Sequence, residues 1–198
     1  MPQPGSTTRG ACRRLGRVAA GALLSAAGCT GVSPYIDHSY ARAAAPVLYE
    51  PVHNIEHDDS GPWYGASAAY GTYIEQEKFH ATGLEFEYAL RRLGNTSEMD
   101  GWCHSFYLGV RRFWNLDERI RPHVGLGGIW EDFDVRFQPS GHDSSGIGLY
   151  ADIGLDYMIT PYHSIGVRLR DQARYENADQ NHGIANGVEL ALVATWNF

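Results

Sequence analysis

Two pairs of neighbours, His104-Ser105 and His163-Ser164, hold the residue types from which a base-activated nucleophile is built. The base must lie within hydrogen-bond reach of the hydroxyl it deprotonates, so both side chains have to share a face. Adjacent residues of a strand point to opposite faces, and either pair forms a dyad only if a bulge turns one partner over. His80 and Thr82 have the two-residue spacing that shares a face, with threonine where a serine nucleophile is wanted. His57 beside Asp58 and Asp59, and His142 beside Asp143, group imidazole with carboxylate as metal sites do, but such groups are also ordinary polar loop residues. The sequence has no Cys-x-x-Cys pair, phosphate-binding glycine loop or Gly-x-Ser-x-Gly elbow. Gly125, Gly127 and Gly128 suit strand curvature and close packing. No catalytic residue, metal ligand or cofactor is assigned on these grounds.

The elements that would position these residues are strands. Residues 187–198 alternate to the last position, with Val188, Leu190, Leu192, Ala194, Trp196 and Phe198 on one face and Glu189, Ala191, Thr195 and Asn197 on the other. The same period of two runs through residues 64–74, 84–91, 102–112, 123–130, 149–157 and 165–170, and no helical period competes with it. An antiparallel barrel needs an even number of strands. The eighth is expected over residues 47–56, interrupted by Pro51. Residues 115–119 and 159–164 then become short turns at one end, and 94–101, 138–145 and 176–183 longer loops at the other. The loops carrying Asp58, Asn95, His142 and Asn181 are the expected contact surfaces.

Residues 1–28 contain Arg9, Arg13, Arg14 and Arg17, no acid, and a small apolar stretch, which is the layout of an export signal. Ala26-Ala27-Gly28 before Cys29 is similar to a bacterial lipobox, making Cys29 a candidate acylated N-terminus, and also suits ordinary signal cleavage. Arg13-Arg14 resembles a twin-arginine signal in a poorly fitting context. Residues 29–46 read as a flexible tether and 47–198 as the barrel. Removing the leader leaves twelve basic against twenty-three acidic residues, a formal charge of −11, which excludes ordinary nucleic-acid binding. Cys12 leaves with the leader, so an acylated Cys29 would leave Cys103 without an intramolecular disulfide partner. With a mean hydropathy of −0.34 and no run of eighteen apolar residues, a helical span is excluded, and only a closed barrel satisfies its backbone in lipid.

Alternation alone does not say which face is inside. The polar face carries Glu85, Glu87, Arg91, Arg111, Asp152, Asp156, Arg168, Arg170 and Glu189, with glycines between them. A solvated exterior is usually rich in lysine, yet Lys78 is the only lysine in the chain. Arginine forks that bridge carboxylates suit a narrow lumen. Trp63, Tyr64, Trp102, Trp114, Trp130, Tyr157, Tyr175 and Trp196 lie near strand ends, where rings form the girdles of membrane barrels. Eight strands leave an interior that side chains fill, so a pore is not expected. A soluble lipocalin-like barrel that binds an apolar ligand would show the same period.

Residues 63–71, 121–128, 148–160 and 163–170, with the terminal Phe198, resemble the small eight-stranded outer-membrane barrels of the opacity-protein and OmpA-transmembrane-domain type. The resemblance implies an all-β, antiparallel up-and-down transmembrane barrel in the bacterial outer membrane, monomeric, in contact with membrane lipid and lipopolysaccharide. It implies that Trp196 and Phe198 form the C-terminal signal read by the insertion machinery, and a structural, envelope-integrity or surface-interaction role. The type also includes hydrolases of lipid A or phospholipid that place His and Ser two residues apart on one strand face. A lipobox before such a barrel departs from the usual plain signal peptide.

Overall fold

The computed structural model describes residues 39–49, 62–77, 79–93, 99–137, 141–178 and 181–198. They form eight strands: β1 (Ser39–Tyr49), β2 (Trp63–Gln76), β3 (His80–Leu93), β4 (Met99–Trp114), β5 (Ile120–Phe137), β6 (Gly141–Thr160), β7 (His163–Ala178) and β8 (Asn181–Asn197). Each pairs antiparallel with its sequence neighbour, and β1 pairs with β8, so the sheet closes into a barrel with no free edge. Backbone bonds between Ser39 and Phe198 (3.2 and 2.9 Å) fasten the seam at the chain end.

The register fixes the barrel's geometry. Stepping from Ser39 through paired residues Thr72, Leu84, Val110, Leu126, Ala151, Asp171 and Val188 returns to β1 at Tyr49, ten residues further on. A shear of ten over eight strands, at ordinary strand spacings, tilts the strands by about 41°. Each residue then climbs the barrel axis by about 2.5 Å, and each step to the next strand by about 3.1 Å. On that scale two outward rings of aromatics stand about 25 Å apart, the height of a membrane barrel's apolar band. One ring, at the end with short turns, holds Trp114, Tyr157, Tyr162 and Trp196. The other, at the loop end, holds Tyr49, Tyr64, Trp102, Trp130 and Tyr175. Between them the outer surface exposes Leu84, Leu108, Leu126, Leu149, Ile153, Val167 and Leu192, among others. No helix among the described residues is long and apolar enough to cross a membrane, and the crossing is made by strands.

Three expectations are corrected. The first strand runs over Ser39–Tyr49 and not 47–56, so residues 39–46 are strand and not tether. Ala41, Ala43, Ala44 and Ala45 give little hydropathy contrast, which hid a period that places Tyr40, Arg42 and Leu48 inward. Pro51, and with it most of the expected strand, lies outside the described residues. Strands also extend into the expected loops: β6 begins at Gly141, β7 continues to Ala178 and β8 starts at Asn181. Backbone pairing goes on above the lipid, where apolar alternation is no longer required. Trp63 turns inward, 5% exposed, and packs edge-on against Phe133 (5.8 Å) rather than joining the girdle.

Inward glycines give the lumen its room. Gly109 and Gly127 are direct cross-strand partners, and a Cβ on Gly109 would lie 2.3 Å from the Tyr150 hydroxyl and 2.4 Å from the Leu126 carbonyl. Gly109→Val is therefore expected to cost about 1–3 kcal/mol or to prevent closure. Urea titration in detergent micelles, followed by heat-modifiable gel mobility, reads this loss; an unchanged midpoint would contradict the packing.

Candidate functional site: the lumen charge network

Inward positions of β1 and β3–β8 carry Arg42, Arg91, Arg111, Arg168, Arg170 and Arg174 and, facing them, Glu85, Glu87, Glu131, Asp152, Asp156 and Glu189, each no more than 3% exposed. Among the described residues six guanidinium groups meet six carboxylates, so this part of the interior is formally neutral although the chain carries −7.

At the turn side, Arg42 Nη2 lies 3.4 Å from both Asp156 Oδ1 and His123 Nε2, and Arg42 Nη1 lies 3.7 Å from Glu85. In the middle, Arg111 grips two carboxylates at once. It donates to Glu85 through Nε (3.1 Å) and Nη2 (2.8 Å), and to Asp152 through Nη1 (2.7 Å) and Nη2 (2.9 Å). Arg168 donates to both oxygens of Glu87 (2.7 and 2.8 Å) and to Glu189 (2.8 Å). Arg170 donates to Glu87 (2.6 Å) and stacks over the rings of Tyr107 (3.9 Å) and Tyr150 (4.7 Å). Since β3 and β7 stand on opposite sides of an eight-stranded barrel, the Glu87 contacts to Arg168 and Arg170 cross the bore.

Toward the loop side, Arg91 donates to Glu189, Tyr107, Ser105 (2.6 Å) and Glu131 (3.3 Å). Ser105 donates to Glu131 (2.6 Å), while Arg174 lies 2.9 Å from Glu131 and over the Phe133 ring. Leu48, Trp63, Leu93, Cys103 and Phe133 cover this end as an apolar cluster. Buried charges persist only when paired and hydrogen-bonded, and the bidentate forks meet that condition.

All nine lumen residues named from the sequence lie in this network. Arg42, Glu131 and Arg174 were missed. Arg42 falls among the residues that read as tether, and the apolar contrast of the opposite face ends after Trp130 on β5 and Leu169 on β7, where Asp132 and Asp171 follow. Continuing the same parity reaches Glu131 and Arg174.

The histidine–serine neighbours face apart. His104 is outward and bonded to the Tyr88 hydroxyl (2.8 Å), while Ser105 is fully buried in the network. His163 is exposed and bonded to Thr160 (2.9 Å), with Ser164 buried inside. His80 contacts Arg112 (2.7 Å) and Glu77 (3.0 Å), and Thr82 donates to Glu75 (3.1 Å). Among the described residues no group of three or more His, Cys, Asp or Glu is placed to hold a metal ion. His142, Asp143 and Asn181 belong to strands, whereas His57, Asp58, Asp59, Asn95 and Cys29 lie outside the described residues. Trp196 is outward in the turn-side girdle, and Phe198 rests near Tyr70, with ring centroids 6.4 Å apart.

The barrel superposes on solved outer-membrane barrels. Neisserial surface protein A aligns with a TM-score of 0.64 at 14% identity, over 81% of this chain and 97% of that one. The outer membrane protein OprG of Pseudomonas aeruginosa aligns at 0.55 and 11% identity, over 81% and 96% of the two chains. Ail, the attachment invasion locus protein of Yersinia pestis, aligns at 0.52 and 14% identity, over 81% and 97%. The fold, the apolar belt and the two girdles define a small transmembrane β-barrel of the bacterial outer-membrane class. No family model and no curated protein matches the sequence.

Arg168→Met, which strips Glu87 and Glu189 of bidentate or close partners, is expected to destabilise the barrel by about 3–5 kcal/mol. Arg42→Met, whose ion contacts are longer, should cost less. Reversible unfolding in vesicles ranks the two, and equal, small losses would contradict the network's central role.

Proposed function

We propose that this chain works through its surfaces, as an outer-membrane barrel with a structural, envelope-integrity or surface-interaction role. The observation that carries this reading is the filled bore: among the described residues the charged groups inside the barrel are paired with one another. The same proposal includes acylation of Cys29, insertion guided by Trp196 and Phe198, contact with outer-membrane lipid and lipopolysaccharide, and no assigned catalytic residue. The face-to-face separation of His104 from Ser105, and of His163 from Ser164, argues against a serine dyad at either place.

Two assays test the reading on the full chain. In planar bilayers the wild type is expected to give no sustained conductance steps, and stable open channels would overturn the filled-bore account. Incubated with lipid A or phospholipid micelles, it is expected to release no fatty acid. Release that disappears in His104→Ala or His80→Ala would replace the surface role with hydrolysis.

A further inference from the structure

One charge stands apart from the lumen network. Along the lipid-facing surface between the levels of Arg112 and His104, every outward residue among those described is apolar, small or hydroxylic except Asp171 on β7. Its neighbours Arg170 and Gln172 point inward, and Asp171 itself is exposed. Its register partners are Ala151 on β6 and Val188 on β8, and Ala173 follows it on the outward face. The geometry puts it about 6 Å below the level of Tyr49, inside the apolar band. Among the described residues no side chain of its own barrel pairs with it. A charge facing lipid is costly and marks a contact that offsets the cost.

We propose that Asp171 receives Arg92 of a second copy of this chain, so that barrels join side to side in the membrane plane. Arg92 is outward and exposed on β3, the strand diametrically opposite β7, where it stacks over Trp102 (5.6 Å). Its level lies about 7 Å above that of Asp171, within the reach of an arginine side chain directed toward a carboxylate. Arg92 stands between its register partners Tyr64 and Trp102 on the one face, and Asp171 between Ala151 and Val188 on the other. Because the two faces differ and oppose each other across the barrel, the contact is head-to-tail and propagates as a row rather than closing as a pair. The row replaces the expectation of a monomer.

The test places Leu90→Cys and Ala173→Cys, outward positions at similar levels on the two faces, in a chain whose native cysteines are replaced by alanine. The protein is refolded into phosphatidylcholine vesicles at low density, checked for folding by heat-modifiable mobility, and oxidised. A ladder of dimers, trimers and longer species is expected. Asp171→Arg or Arg92→Asp alone should reduce it roughly tenfold, Asp171→Asn should weaken it, and the double reversal D171R/R92D should restore it. Monomers only, dimers only, a ladder indifferent to single reversals, or a double reversal that does not restore it would each overturn the proposal.

Discussion

Glu87 on β3 and Arg168 with Arg170 on β7 face each other across the bore, and their contacts depend on the tilt, register and closure of the sheet. A carboxylate held by two guanidinium groups in a packed lumen tolerates no one-residue slip, because a slip would move every charge of the slipped strand to the lipid side. Such pairs are weak sources of net stability, since desolvation offsets much of their attraction. Their effect is to exclude alternatives. Any of β1 or β3–β8 inserted out of register leaves an unpaired charge in lipid or in the lumen.

The remaining architecture accommodates that cross-lumen contact. A shear of ten brings β3 and β7 side chains to similar levels on opposite walls, and inward glycines on β2, β4, β5, β6 and β7 leave volume for arginines and tyrosines that would otherwise collide with the facing wall. Tyr107 and Tyr150, packed edge-on at 5.3 Å, support Arg170 from the sides. The apolar cluster around Trp63 and Phe133 covers the network at the loop end, where the stacking of Arg174 on Phe133 joins the two regions. The outside repeats the logic with the signs reversed, with aliphatic side chains in the band and rings at its two borders.

Much of this was legible in the sequence because a period of two survives wherever one face must be apolar. Seven strands, the terminal pattern to Phe198 and the charged face followed from it. The signal failed where the two faces are chemically alike or where lipid no longer demands contrast. The alanines of β1 concealed both the strand and Arg42, the polar ends of β6, β7 and β8 looked like loops, and Glu131 lay one position past an apparent strand end. Trp63 was misplaced for a different reason. An aromatic at a strand end serves equally as a girdle ring or as a lumen cover, and only its parity relative to Tyr64 separates the two.

The inside-polar, outside-apolar arrangement is the claim on which the rest stands, and refolding the full chain with and without detergent micelles, followed by circular dichroism and heat-modifiable mobility, tests it most directly. The account predicts a β-spectrum and a compact, heat-sensitive band only when micelles cover the outer aliphatic belt. A monodisperse, folded β-protein in plain buffer would contradict it, turning the charged face into a solvated exterior and the aliphatic face into a core.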